Sequence, residues 1–165
     1  LNPRDLANVA WAFARSGRAD ERCFAALADA AERRVDDFST QGLANTAWAH
    51  AKAGVSAPTL FAALARALES RFFRGRVGED VAPQDVSNAA WAFARACHPD
   101  ATLFASMARC AERQLDAFNV QDLVNTTWAF AKIGVADRGL FSSAAKVVAA
   151  RADALDPAAL ANVAW

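Results

Sequence analysis

With 165 residues and 55% hydrophobic side chains, the chain can bury the core of one ordinary domain or of a short repeat array. Lys+Arg and Asp+Glu number 18 each, so zero net charge excludes recruitment to nucleic acid or membrane by bulk charge alone. Alanine dominates the apolar fraction, tyrosine is absent and Gly and Pro number only seven and five, a balance that favours helix over sheet.

The five tryptophans share one register, at Trp11, Trp48, Trp91, Trp128 and Trp165, with spacings of 37, 43, 37 and 37. Each is preceded by three positions by an asparagine: Asn8, Asn45, Asn88, Asn125 and Asn162. Such periodicity predicts an all-α solenoid of about four two-helix repeats, period ~37, followed by a truncated fifth A helix.

In the first repeat (approximately 1–37), Asn2 caps a helix, Pro3 takes its first position and Asp5 its third. Gly17 suits a left-handed stop, so helix A covers 3–16. Asp20 then caps helix B, whose stripe reads Cys23, Phe24, Leu27, Ala28, Ala31, Val35. The second repeat (38–80) has Ser39 as cap, helix A at 40–53, Gly54 as stop, and a B stripe of Leu60, Phe61, Leu64, Ala65, Leu68, Phe72. It carries six extra residues around 71–78, read as a basic inter-helix loop, either a tolerated surface loop or a contact.

The third repeat (81–117) starts at Ala82-Pro83 with Asp85, and places helix A at 83–96. Cys97-His98-Pro99 replaces the glycine, with the proline expected to act as the breaker, and Asp100 caps a B helix carrying Leu103, Phe104, Met107, Ala108, Ala111 and Leu115. The fourth (118–154) is capped by Asn119, with Asp122 in its first turn, helix A at 120–133, Gly134 as stop and Asp137 as the next cap. A partial fifth (155–165) opens at Asp156-Pro157. Because the chain opens on Leu1 and breaks off within this last helix, we expect a single helical-repeat domain cut from a longer array.

At 100° per residue, Leu6, Leu43 and Leu123 share a face with Phe13, Phe93 and Phe130 and should pack on helix B. The opposite stripe combines the register asparagines and tryptophans with Arg15, Lys52, Arg95 and Lys132 four residues beyond each tryptophan, and with Arg4, Gln41, Gln84 and Gln121. Two readings of the stripe remain open. Asn and Trp could be glue between neighbouring A helices, or an amide, aromatic and cation ladder that stacks bases and neutralises phosphates. The cations could equally complement the negative ends of their own helices. Arg66, Arg109 and Lys146 form a second in-phase series on the B helices, expected to be a solvated face. Specificity could reside where repeats differ, at Ala7, Ala44, Ser87, Val124 and at Val9, Thr46, Ala89, Thr126.

Catalytic and metal constellations are missing from the sequence. His50 fills a slot held elsewhere by phenylalanine and reads as a core or rim histidine, and His98 sits in a turn. No phosphate loop, zinc-protease helix or nucleophile elbow occurs. Cys23, Cys97 and Cys110 lack metal spacing and read as small buried hydrophobes or idle thiols of a reducing compartment. No apolar stretch approaches the ~20 residues of a membrane span. We therefore expect no enzyme, cofactor, metal, membrane contact or small-molecule substrate.

The core L-A-N-V-A-W-A-F-A-R, repeated as L-A-N-T-A-W-A-H-A-K, V-S-N-A-A-W-A-F-A-R and L-V-N-T-T-W-A-F-A-K, resembles octotricopeptide-type repeats of organellar RNA-binding proteins. It is equally similar to arrays in RAP-domain and FAST-kinase-like proteins and in subunits of the mitochondrial RNA-editing substrate-binding complex, although no RAP domain lies in this stretch. The resemblance implies single-stranded RNA along the A helices, protein partners in a ribonucleoprotein complex, and a role in organellar RNA processing, stability, editing or translation in mitochondrion or chloroplast. The candidate RNA contacts are then Asn8, Trp11, Arg15, Asn45, Trp48, Lys52, Asn88, Trp91, Arg95, Asn125, Trp128, Lys132, Gln41, Gln84 and Gln121. The alternative is a protein-interaction scaffold that grips an extended peptide in armadillo-like fashion. His50, the missing third glycine and the insertion depart from the pattern, and the last two are expected to disturb the pitch of the array.

Overall fold

A computed structural model describes residues 1–75 and 80–151. The fifth A helix, with Asn162 and Trp165, and the centre of the insertion lie outside the described residues. Eight α-helices follow in order: α1 (Pro3–Arg15), α2 (Glu21–Glu32), α3 (Thr40–Ala53), α4 (Pro58–Arg74), α5 (Pro83–Arg95), α6 (Ala101–Glu112), α7 (Val120–Lys132) and α8 (Arg138–Arg151). Odd-numbered helices are the A helices and even-numbered ones the B helices, an all-α solenoid-like stack.

The starts obey local chemistry. Asn2, Ser39 and Asn119 accept the N–H three residues on, and Asp5 and Asp85 return the bond to the N–H of Asn2 and Ala82. Asp20, Asp100 and Asp137 cap α2, α6 and α8 through the N–H of Cys23, Leu103 and Leu140 at 2.7, 2.9 and 2.9 Å. Each cap satisfies a donor that the first helical turn leaves without a partner, worth about 1 kcal/mol.

The stops carry one correction. Gly17, Gly54 and Gly134 adopt φ of 69°, 71° and 73° as anticipated. In the third repeat the left-handed residue is Cys97 itself, φ 55°, and not a break at Pro99. His98 donates its N–H to the Phe93 carbonyl at 3.0 Å, just as Arg18 does to Phe13 and Val135 to Phe130. The helix ends the same way with a costlier residue.

Neighbouring A helices pack on one another more extensively than neighbouring B helices do. Alanine explains this: Ala7, Ala10, Ala44, Ala47, Ala51, Ala90 and Ala94 are buried and bring the backbones close. The large side chains sit between layers, with Phe24, Phe61, Phe72, Phe93, Phe104, Phe118 and Phe130 fully buried. Burying each contributes roughly 1.5–3 kcal/mol.

Each junction between repeats repeats one contact. Phe61 meets Phe93 edge-on at 5.1 Å, and Phe104 meets Phe130 at 5.0 Å. At the first junction His50 replaces the A-helix ring and meets Phe24 at 5.1 Å. The aromatic five residues past the register asparagine therefore packs on the B helix of the preceding repeat. Phe13, expected inside, is 37% exposed, and among the described residues no B helix packs on it as α2, α4 and α6 pack on His50, Phe93 and Phe130.

The insertion is only partly a loop. Where α2 and α6 give way to 3₁₀ turns at Val35–Asp37 and Leu115–Ala117, α4 continues as helix through Arg74. Phe72 anchors the extra turn in the core, leaving Phe73 on the surface beneath the Arg109 guanidinium. A Cβ on Gly75 would lie 2.5 Å from the Arg71 carbonyl oxygen and 2.7 Å from Val81, so this exit from α4 requires glycine. The aromatic contact across the junction that holds the insertion, with rings 5.1 Å apart and 79° between planes, resembles its neighbour at 5.0 Å and 70°.

Candidate nucleic-acid interface

The stripe opposite the leucines emerges on the free surface of the A layer. Arg15, Lys52, Arg95 and Lys132 are exposed in the last turns of α1, α3, α5 and α7. Among the described residues none of the four forms an ion pair, the one carboxylate bridge being Arg34–Asp37 at 3.2 Å. Gln41, Gln84 and Gln121 are likewise exposed, while Asn45, Asn88 and Asn125 are half-buried and Asn8 is open to solvent.

The tryptophans are engaged but not enclosed. Trp48 and Trp91 lie 6.0 Å apart with planes 34° apart, and Trp48, Trp91 and Trp128 are half-buried. Trp11, 43% exposed, is covered by the Arg15 guanidinium at 5.3 Å, and Trp128 by the Lys132 ammonium at 5.1 Å. A cation four residues beyond a tryptophan falls on the same helix face, which produces this stacking. The amides behave similarly. Asn88 donates to Asn45 at 3.3 Å across the second junction, and Gln121 donates to Asn125 at 2.8 Å within α7. Both readings of the stripe are thus partly realised: its inner edge links helices and its outer edge stays free.

The positions that differ between repeats are not available for reading a ligand. Ala7, Ala44, Ser87 and Val124 are buried, as are Thr46, Ala89 and Thr126, while Val9 is half-buried against the core. They adjust packing between A helices, so specificity must reside elsewhere.

Buried polar groups sit behind the stripe. His50 is fully buried, in the aromatic slot, and burial lowers its pKa, opposed by bonds to the Thr46 and Phe24 carbonyls. Burial raises the carboxyls of Asp85 and Asp122; the Ala82 and Asn119 N–H bonds oppose this, and the charge of Asp122 pushes Asp85 further up. Burial likewise pushes the Cys110 thiol up. Cys23 is half-buried and Cys97 exposed. His98 stacks on Phe61 at 5.1 Å. Arg66, Arg109 and Lys146 are exposed on the outer helices. Among the described residues no group of three or more His, Cys, Asp or Glu could hold a metal ion, and no helix is long and apolar enough to cross a membrane.

A model of the RNA-editing substrate-binding complex 6 protein family matches residues 1–165. The chain belongs to this family. Its membership connects the protein with an RNA-editing complex, and so with RNA processing, through the whole repeat array and not through one segment of it. No curated protein matches the chain.

One periodic feature escaped the sequence reading. An arginine at the end of each B helix, or just beyond it, reaches back to backbone carbonyls in the preceding repeat or at the entry to its own. Arg71 donates to Asp36 O at 3.2 Å, Arg113 to Phe72 O at 3.1 Å, and Arg151 to Phe118 O and Asp116 O, both at 2.6 Å. Arg34 makes the equivalent bond to Leu1 O at 2.9 Å. The signal was present, since Arg34, Arg71 and Arg151 each follow the register asparagine by twenty-six residues. The third repeat hides it by placing Gln114 there and shifting its arginine to 113.

Proposed function

We propose that the chain is a non-catalytic, octotricopeptide-like RNA-binding array that holds single-stranded RNA along its A helices within an organellar RNA-editing complex. The observation that carries this reading is the column Arg15, Lys52, Arg95 and Lys132, repeated in phase on the A helices and free of carboxylate partners among the described residues. Like charges on adjacent helices repel, and a polyanion laid across them relieves that repulsion. The tryptophans beside them offer π-faces that accept any base, so this surface would supply affinity with little sequence preference. Membership of an RNA-editing substrate-binding complex family favours RNA over other polyanions.

The test is a salt titration of single-stranded RNA binding by the native chain and by Arg15→Gln/Lys52→Gln/Arg95→Gln/Lys132→Gln. Each lost phosphate contact should reduce the log–log salt slope by about 0.7, or about 3 for all four. Unchanged affinity and slope would place RNA on another surface. Salt-insensitive capture of a protein, with no RNA bound by either form, would instead support the scaffold reading.

A further inference from the structure

The clefts between successive A helices differ in which polar groups remain available. Asn45 and Asn88 bond each other across the second junction, and Gln121 occupies Asn125 at the third. At the first junction a cleft of about 590 Å³ opens between the beginnings of α1 and α3, within the roughly 300–1,000 Å³ range of small-ligand clefts. Arg4, Asn8, Gln41, Asn45 and Asp37 line it. Arg4, Asn8 and Gln41 are exposed and make no hydrogen bond or ion pair among the described residues. Asp37 Oδ2 accepts from Arg34 Nε at 3.2 Å, which leaves Oδ1 free. Arg4 is particular to this cleft, because the equivalent positions of the next three repeats hold Gln41, Gln84 and Gln121.

We propose that this cleft is a guanine-selective subsite for one base of a single-stranded RNA, an inference that rests on the RNA-binding reading above. Guanine is the base whose edges present a pair of acceptors, O6 and N7, and a separate pair of donors, N1–H and N2–H. The Arg4 guanidinium supplies the fork that binds O6 and N7 together. The free Asp37 oxygen accepts from the N1–H and N2–H edge, and Asn8, Gln41 and the Asn45 Nδ2 amide, whose own Oδ1 is taken by Asn88, meet the remaining base and ribose groups. Adenine has an amine where Arg4 requires an acceptor. Uracil and cytosine have no N7. The stripe thus binds strand without regard to sequence, and this one cleft sets the register.

The experiment compares the native chain binding a short oligouridylate carrying one central guanosine, adenosine, inosine or 7-deazaguanosine. Guanosine should bind about tenfold tighter than adenosine or unsubstituted oligouridylate. Deleting N7 with 7-deazaguanosine, or the N2 amine with inosine, should each remove part of that preference. Arg4→Gln installs the residue of the other repeats on an exposed site and should flatten the preference among the oligonucleotides, read as the ratio of guanosine to adenosine affinity within each protein form. Arg4→Lys, which keeps the charge and loses the fork, should flatten it too. Equal binding of all four oligonucleotides, or a guanosine preference intact in Arg4→Gln, overturns the subsite but leaves RNA binding standing. Failure to bind any of them removes the RNA reading itself.

Discussion

The imidazole of His50 stands edge-on to the Phe24 ring at 5.1 Å, with Nδ1 2.9 Å from the Thr46 carbonyl and Nε2 3.3 Å from the Phe24 carbonyl. Both ring nitrogens therefore face acceptors. A neutral imidazole can donate to only one of them, and a charged one would donate to both but must be buried to do so. Burial prevails, and the pKa is lowered from 6.5.

The sign of the resulting pH dependence follows. Below pH 6.5 the unfolded chain takes up a proton that folded His50 resists, so acidification destabilises the fold from that point down to the lowered folded pKa. His50→Phe, which restores the residue used by the other complete repeats, should abolish this loss. Thermal melts of both forms between neutral and mildly acid pH measure the difference, and parallel curves would show that His50 does not titrate in this way. Asp85 and Asp122 act in the opposite sense, because raised carboxyl pKa values stabilise the fold as pH falls through them.

Phe13 and Phe130 occupy the same register position in different surroundings, one partly exposed and one fully buried against Phe104. Phe130→Ala should destabilise by about 3–5 kcal/mol, because it removes a buried ring and leaves a cavity. Phe13→Ala should cost about 1 kcal/mol or less. Urea denaturation of the two variants makes the comparison. Equal losses would mean that the junctions are not held by these aromatic pairs.

The backbone clamps ask for arginine specifically. Arg151 forks onto Phe118 O and Asp116 O, which a lysine ammonium on a flexible stem cannot reproduce in one plane. Arg151→Ala should cost about 1.5–3 kcal/mol, and Arg151→Lys should recover less than half of it. Full rescue by lysine in chemical denaturation would reduce the clamp to a simple charge effect.

Cys97 holds a left-handed backbone at the site where the three other A helices end in glycine, at Gly17, Gly54 and Gly134. That conformation costs a non-glycine residue about 1–2 kcal/mol, partly offset by the smaller unfolded-state entropy of cysteine. Cys97→Gly should therefore raise stability by up to about 1 kcal/mol, and Cys97→Val should lower it. A melting temperature depressed by the glycine variant would contradict this account.

Much of the molecule is legible in one dimension because its interactions are local and recur. Caps at Asn2, Ser39 and Asn119 act over three residues, and the leucines at 6, 43 and 123 lie one helical face from their partners, so spacing alone locates them. The same periodicity marked the Asn–Trp–cation stripe, since repeated residues on one helix face must emerge on one layer of the stack. Three things required the tertiary structure. Cys97 could replace glycine because a favourable fold imposes its strained turn, which propensity does not reveal. The variable positions proved buried because A helices approach closely through alanine, and helical angle alone does not say how near the next helix lies. The cleft that joins Arg4 to Gln41 and Asp37 exists only once α1 and α3 stand side by side. Sequence determined the hairpins and their register through short-range chemistry; packing between repeats decided which polar groups bond each other and which remain open to a ligand.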